Sequence, residues 1–322
     1  MPVVHVVGSL NADQLLELTD CPEAGETVLA SDVRLSAGGK GGNQAVAAAR
    51  AGAEVVMVGA VGDDAHGRLV RAELDGSGVD ARRVRTVEGA PTGTAIVLLD
   101  GAGENRIVVS PGANSRLTVA DVESGLRDLG EGDVLLLQLE IPSEVVVHAA
   151  HLGKRRGARV VLNAAPAPER ADCLGAGLDH LVVNRGEMCT VAQLLGLADE
   201  LPPAEPARAA TGLDALPALV ARVADSLACT VVCTAGADGA YVCGGAHGAT
   251  AVHIPAVPVT ATDTTAAGDT YAGYLAADLA AGQRQPATAL ARASAAAALT
   301  VTRPGAMDSI PRADELPAAF RP

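Results

Sequence analysis

Val134-Leu135-Leu136-Leu137-Gln138-Leu139-Glu140 is a short apolar run closed by polar residues. It leaves no polar face for water, so it reads as a strand, Val134–Leu139, buried on both sides. Three runs of the same kind follow at Arg159–Asn163, His180–Asn184 and Thr230–Thr234, with helical stretches between them. Such alternation predicts an α/β fold: a doubly wound, mainly parallel sheet with helices on both faces. Ligands of these sheets bind beyond the carboxyl ends of the strands, where Glu140, Asn163, Asn184 and Thr234 fall. Toward the N-terminus, a strand at Val3–Val7 runs into Gly8-Ser9-Leu10-Asn11-Ala12-Asp13 and places Asn11 at the same edge. Another strand, Glu54–Val61, ends in Gly62-Asp63-Asp64. That aspartate pair reads as a turn or helix cap in preference to a metal pair.

Two segments break the rhythm. Thr94–Leu99 and Arg106–Val109 are β-rich and flank a turn, Asp100 to Asn105, built of residues that tolerate positive φ. With Glu26–Ser36 this hairpin is expected to form a small separate sheet, a lid of about 14–36 and 92–110 on one domain spanning 1–322. Leu201–Leu213 is rich in Pro and Ala and reads as a surface loop or insertion.

Two stretches carry chemistry. Asp263-Thr264-Thr265-Ala266-Ala267-Gly268-Asp269-Thr270 precedes an alanine-rich helix, Tyr271–Ala281, stopped by Gly282. Small residues before a helix let its first amides face outward as an anion hole. A carboxylate in that turn can take a proton from an attacking hydroxyl, although an aspartate there can also be a plain cap. Gly38-Gly39-Lys40-Gly41-Gly42-Asn43-Gln44-Ala45 is a glycine-rich loop followed by a helix at Gln44–Arg50. It lacks Walker A order. Asn43 offers both donor and acceptor, as a polyol requires.

The net charge of −14 argues against a nucleic-acid surface. No apolar run approaches the ~20 residues of a membrane helix. The start, Met1 to Gly8, lacks the basic leader and cleavage site of a signal peptide, so a cytoplasmic setting is expected. The cysteines (21, 173, 189, 229, 233 and 243) form no C-x-x-C pair and read as buried reduced thiols. The seven histidines are scattered, which disfavours a tight transition-metal site. Tyr241, Tyr271, Tyr274 and Phe320 are all the aromatics there are, so a pocket that stacks a nucleobase is disfavoured in the N-terminal half.

Together the two stretches resemble the paired signatures of the ribokinase (PfkB-type) carbohydrate kinase family. The likeness extends in order through Gly8 to Asp13, Pro22 to Thr27, Gly62-Asp63-Asp64, Gly103-Glu104-Asn105, Gln138-Leu139-Glu140, Leu162-Asn163, Asn184 to Glu187 and Thr302-Arg303. It implies an ATP-dependent sugar kinase, with D-ribose phosphorylated at its 5-hydroxyl as the leading reaction. In this likeness Asn11, Asp13, Gly39, Lys40, Asn43 and Glu140 hold the sugar. Asp269 is the catalytic base, and the amides around Ala266, Ala267 and Gly268 form the anion hole. Asn184 and Glu187 match an N-x-x-E motif near the phosphates that organises Mg²⁺, partly through water. Thr234, Gly236 and Gly239 match the nucleotide loop. A monovalent-cation site for an activating K⁺ maps to Asp263, Thr265, Thr300, Arg303, Gly305 and Ser309, several of them through carbonyls alone. The outer face of the small sheet is expected to pair with another copy, because isolated small sheets are marginal, which gives a homodimer through the lid. Departures from the common pattern are Ala164 after Asn163, Arg185-Gly186 inside N-x-x-E, Tyr271-Ala272 after the base, and Pro304. Kinases of other sugars or of nucleosides, and a catalytically dead sugar sensor, are the competing readings.

Overall fold

The computed structural model describes residues 2–101, 105–175, 177–197, 215–245, 248–282 and 286–321. The Pro/Ala-rich Leu201–Leu213 and the Gly103-Glu104 part of the hairpin turn lie outside them. Strands β1 (Val4–Val7), β2 (Asn11–Glu17) and β3 (Val33–Gly38) precede helix α1 (Lys40–Arg50). Then come β4 (Val55–Gly62), α2 (Ala65–Gly76), β5 (Asp80–Val87), β6 (Gly93–Leu99), β7 (Asn105–Ser110) and α3 (Val119–Gly125). The second half runs β8 (Val134–Leu137), α4 (Ser143–Arg155), β9 (Arg159–Asn163), β10 (His180–Asn184), α5 (Arg185–Leu194), α6 (Leu216–Leu227) and β11 (Thr230–Thr234). It closes with β12 (Ala240–Cys243), β13 (Val252–Ile254), α7 (Ala267–Ala280) and α8 (Pro286–Thr300).

Nine strands form the main sheet in the order β13-β12-β11-β10-β9-β8-β1-β4-β5. From β5 to β11 every pairing is parallel; β12 and β13 add antiparallel strands at one edge. Along β8, Leu135 and Leu137 join one core cluster while Val134 and Leu136 join the cluster on the opposite face. A strand sandwiched between two helical layers needs that pattern, which is why the run shows no polar alternation. Among the described residues no helix is long and apolar enough to cross a membrane.

A separate four-stranded sheet, β3-β2-β6-β7, pairs β2 parallel to β6 and antiparallel to β3. Register divides its two faces. Asp13, Ala95 and Val109 share one row and Val97 and Ile107 the next, all on one face. Leu35, Gln14, Ile96 and Val108 form a row on the other, where Leu35 and Val108 are 49% and 62% exposed.

Three boundaries differ from the sequence reading. Asn11 opens β2 of the small sheet and does not end a strand of the large one, because Gly8–Leu10 carry the chain across first. Helix α1 begins at Lys40, so Gly41 and Gly42 are helical. A Cβ on Gly41 would fall 2.7 Å from the Ser9 nitrogen, so close packing on this crossover offsets the poor helix propensity of glycine. Helix α7 starts at Ala267, four residues before its apolar repeat begins. All six cysteines are free; Cys21 and Cys189 are partly exposed and the other four buried.

Candidate active site

Helices α1 and α7 cross closely: a Cβ on Gly273 would fall 2.6 Å from the Gln44 carbonyl oxygen. That approach brings the first turn of α1 against the first turn of α7. The Asn43 Nδ2 donates to Asp269 Oδ2 at 2.9 Å, and the Gln44 Nε2 donates to Asp269 Oδ1 at 2.8 Å. Asp269 is 6% exposed, and its carboxylate borders a cavity of about 360 Å³.

The small sheet supplies the opposite wall through Asn11, Asp13, Ala95, Val97, Ile107 and Val109. Gly39, Lys40 and Asn43 line the cavity from α1, and Glu140 from the end of β8. Gly39 sits at φ 86° with its Cα against the β1–β2 crossover; a Cβ would lie 2.8 Å from the Asn11 nitrogen. Only glycine meets both conditions. Glu140 Oε2 accepts from Ser9 Oγ at 2.6 Å and from the Lys40 N–H at 3.2 Å. It therefore caps α1 from a distance of 100 residues. Asn11 is held by Asn114, whose Nδ2 donates to the Asn11 Oδ1 at 2.8 Å. Two acceptors in the cavity residues, Asp13 Oδ1 and Asn43 Oδ1, are buried without a partner. Buried acceptors of this kind call for a ligand that brings hydroxyl donors.

Charge is concentrated here. Burial, with Glu140 and Asp269 nearby, pushes the Asp13 carboxyl up to about 7. Asp269 holds the Lys40 ammonium above its ordinary range, and Glu140, Glu187 and Asp13 add to the effect. Burial likewise raises Glu187.

At the mouth of α7, Ala266 takes a left-handed conformation (φ 59°) and no side chain caps the helix. A Cβ on Gly268 would meet nothing within 4 Å, so this glycine faces open space and is not a packing glycine. Thr265, Ala266, Ala267 and Gly268 line the cavity. Its far end is bounded by Asn184, Glu187 and Thr234, from the ends of β10 and β11 and the start of α5. Asn184 and Glu187 also form a reciprocal capping box for α5: Asn184 Oδ1 accepts from the Glu187 N–H at 2.9 Å and Glu187 Oε2 from the Asn184 N–H at 2.7 Å. One Glu187 oxygen is thus engaged in folding, and Oε1 is left for other work.

A second cleft of about 450 Å³ adjoins the first and shares Thr234, Thr264, Ala267 and Gly268 with it. Its walls are Gly236 and Gly239 on one side, the apolar stretch Ala256–Val259, and Tyr271, Ser294 and Ala297 on the other. Arg185 bridges to this loop, donating to the Ala235 carbonyl at 3.2 Å and pairing with Asp238.

Asp263, Thr300, Arg303, Gly305 and Ser309 line neither cleft. Asp263 pins two loops together, accepting from the Thr265 N–H and the Gly305 N–H at 2.9 Å each. Thr300 and Ser309 hydroxyls donate to the Ala296 and Ala306 carbonyls, and Arg303 pairs with Glu315. Of the Asp63-Asp64 pair, Asp64 is structural: it caps α2 through the Gly67 N–H and ties down Thr92. Gln44, Gln138, Ser9 and Asn114 had no site role in the sequence reading. Their signal was polarity inside apolar segments; all four are buried.

A family model described as pfkB family carbohydrate kinase matches residues 1–313. The chain belongs to this family. It is a phosphotransferase with an alcohol group as acceptor. A ribokinase of Schizosaccharomyces pombe is 36% identical over 98% of this chain and 97% of its own length. The crystal structure of a ribokinase from Thermotoga maritima superposes with a TM-score of 0.86 at 31% identity, covering 99% of each chain. An Arabidopsis thaliana ribokinase complexed with ribose and ATP gives 0.80 at 31%, covering 96% of each. The polar cavity and the adjoining cleft meet at one helix mouth, the start of α7.

Proposed function

We propose that this kinase transfers the γ-phosphate of ATP to the 5-hydroxyl of D-ribose. The observation that carries the reading is the shared mouth of α7, open to a polar cavity on one side and to an apolar cleft on the other. Asp13, Asn11, Asn43 and Lys40 hold the sugar hydroxyls, with Gly39 giving close backbone approach and Glu140 holding the loop. Asp269 takes the proton of the reacting hydroxyl. The uncapped amides of Ala267 and Gly268 receive the charge that develops on the migrating phosphoryl group. Thr234, Gly236 and Gly239 border the nucleotide. Ribose is favoured by the ribokinase relatives and by the lid-side wall of Ala95, Val97, Ile107 and Val109, which has no ring to stack a base.

Mg²⁺ fits the phosphate end, because the Oε1 of Glu187 has an oxygen lone pair to offer a metal-bound water. When bound, the ion neutralises phosphate charge. For K⁺, the fit rests on Asp263, which holds the segments carrying Thr265 and Gly305 side by side. With the Thr300 and Ser309 hydroxyls already donating within the chain, backbone carbonyls are the ligand atoms these residues would offer a hard cation, and the Thr300 carbonyl also accepts from the Arg303 N–H at 3.0 Å. Lid closure over the sugar excludes water. The exposed apolar row Leu35, Ile96 and Val108 is covered by a second copy, giving a homodimer; a monomeric mass by light scattering at micromolar concentration would count against this. Six free cysteines and ATP use support a cytoplasmic setting.

ADP release over a panel of pentoses, ketohexoses, deoxyribose and nucleosides, with and without K⁺, tests the assignment. The highest kcat/KM is expected for ribose with K⁺ present. A higher value for any other acceptor would replace ribose, and tight sugar binding without turnover would leave a sensor.

A further inference from the structure

Behind Asp269 lies a chain of buried amides, of which only Asn163 borders the cavity. Gln44 and Gln138 are both fully buried, and neither lines the site. The Asn163 Nδ2 donates to the Val182 carbonyl at 3.0 Å. A backbone carbonyl only accepts, so this bond fixes which way the Asn163 amide points. Its Oδ1 then faces Gln44, whose Nε2 donates to it at 2.9 Å and, with its second hydrogen, to Asp269 Oδ1 at 2.8 Å. The Gln44 Oε1 must therefore face away, and there it accepts from the Gln138 Nε2 at 2.6 Å. Room for Gln138 exists because Gly8 lacks a Cβ, which would fall 1.8 Å from Gln138 Oε1. The Asn163 end is pinned by the Val182 carbonyl, while at the other end Gln138 follows β8 with its Oε1 buried and unpartnered, so its Nε2 is committed to the Gln44 Oε1.

We infer that Asn163, Gln44 and Gln138 are positioning residues that lock the polarity of the amide facing the catalytic base. With Gln44 unable to turn over, the Asp269 carboxylate always meets an N–H donor on Oδ1, and Asn43 supplies the second donor on Oδ2. A turned Gln44 would aim a carbonyl oxygen at the carboxylate, favouring its protonated form and removing the base. The inference rests on the reading of Asp269 as the base.

The test uses Gln44→Glu, which keeps shape and the acceptor for Gln138 but replaces the donor by oxygen, and Gln138→Met, which conserves volume and touches neither Asp269 nor the cavity. For Gln44→Glu, kcat at pH 7 should fall roughly 10–100-fold, sugar KM should stay within about threefold, and the acidic limb of the kcat–pH profile should move up by about one pH unit or more, as for two carboxylates sharing a proton. For Gln138→Met, the limb should move in the same direction with a smaller, several-fold loss of kcat. A purely structural role would lower the thermal midpoint and leave the limb in place. An unmoved limb in the folded variants overturns the proposal, and if Gln44→Glu does not fold, Gln138→Met decides alone. Asp269→Asn is measured alongside: if it retains turnover, the base assignment fails. If it is inactive while both glutamine variants behave as the parent, only the polarity lock fails.

Discussion

Each wall of the cavity carries one aspartate, and the two are furnished in opposite ways. Asp269, on the core wall, has an amide donor on each oxygen. Asp13, on the small-sheet wall, has a buried Oδ1 with no partner and faces Glu140 and Asp269 with only Lys40 as a countercharge. Donors to a carboxylate stabilise its ionised form, and burial without donors does the reverse. Asp269 is thus completed by the protein. Asp13 is completed only when something else brings hydroxyl groups. Of two like residues in one cavity, the first suits the proposed role of base and the second that of a sugar ligand.

The sharpest way to break this contrast is Asp269→Asn. It keeps the shape but removes the proton acceptor, so kcat should drop by at least ~100-fold, and up to ~10⁴-fold, with sugar binding largely retained. Steady-state kinetics on the purified variant, with calorimetry for the sugar, check both halves. Near-normal turnover would remove Asp269 from the role and erase the difference between the walls.

Next in size is Asp13→Asn. Loss of a charged acceptor for sugar hydroxyls should weaken sugar affinity by roughly 10–100-fold, since hydrogen bonds to charged groups contribute about 1.5–3 kcal/mol, while kcat at saturating sugar changes far less. A fall in kcat as large as that of the Asp269 variant would show that both aspartates belong to the reacting centre.

Much of this contrast could be read from sequence, and part could not. Local order exposes the strands at Val134, Arg159, His180 and Thr230 and the helix mouth at Gly268, because burial on two faces and small residues before a helix leave marks within a few positions. The partners of Asp269 are Asn43 and Gln44, 226 and 225 residues away. Their pairing depends on how closely α1 and α7 cross, which one glycine, Gly273, permits and no periodicity announces. Glutamines also read as surface residues by type, so Gln44 and Gln138 gave little warning that both are fully buried. The extent of the small sheet was blurred for a related reason. Strand β2 is half-polar and follows the glycine crossover at once, so its sequence carries no clean strand alternation.

The contrast also makes sugar affinity depend on pH. In the empty protein Asp13 titrates near 7, raised by burial and by Glu140 and Asp269 against Lys40. In the proposed reading sugar hydroxyls donate to the ionised form, so binding below pH 7 must first expel a proton. Affinity measured by calorimetry should therefore weaken about tenfold from pH 8 to pH 6. Asp13→Asn should flatten that slope. A slope unchanged in the variant would assign it to another group.

The smallest expected effect is one of stability, and its sign is the informative part. A carboxyl raised from 3.8 to about 7 binds a proton more tightly folded than unfolded. Its contribution is therefore fully present below about pH 4 and is lost as pH rises through 7. At pH 8 the empty protein carries an ionised, donor-poor Asp13 at a net penalty on the order of 1–3 kcal/mol, after allowance for its partial exposure. Asn at this position has nothing to ionise. Asp13→Asn should raise the thermal midpoint of the sugar-free protein by a few degrees at pH 8 and by less at pH 5, although it binds sugar worse. Saturating sugar should narrow the gap by stabilising the parent chain more than the variant. If the variant melts lower at pH 8, the Asp13 carboxylate has donors in the empty state after all, and the two walls are furnished alike.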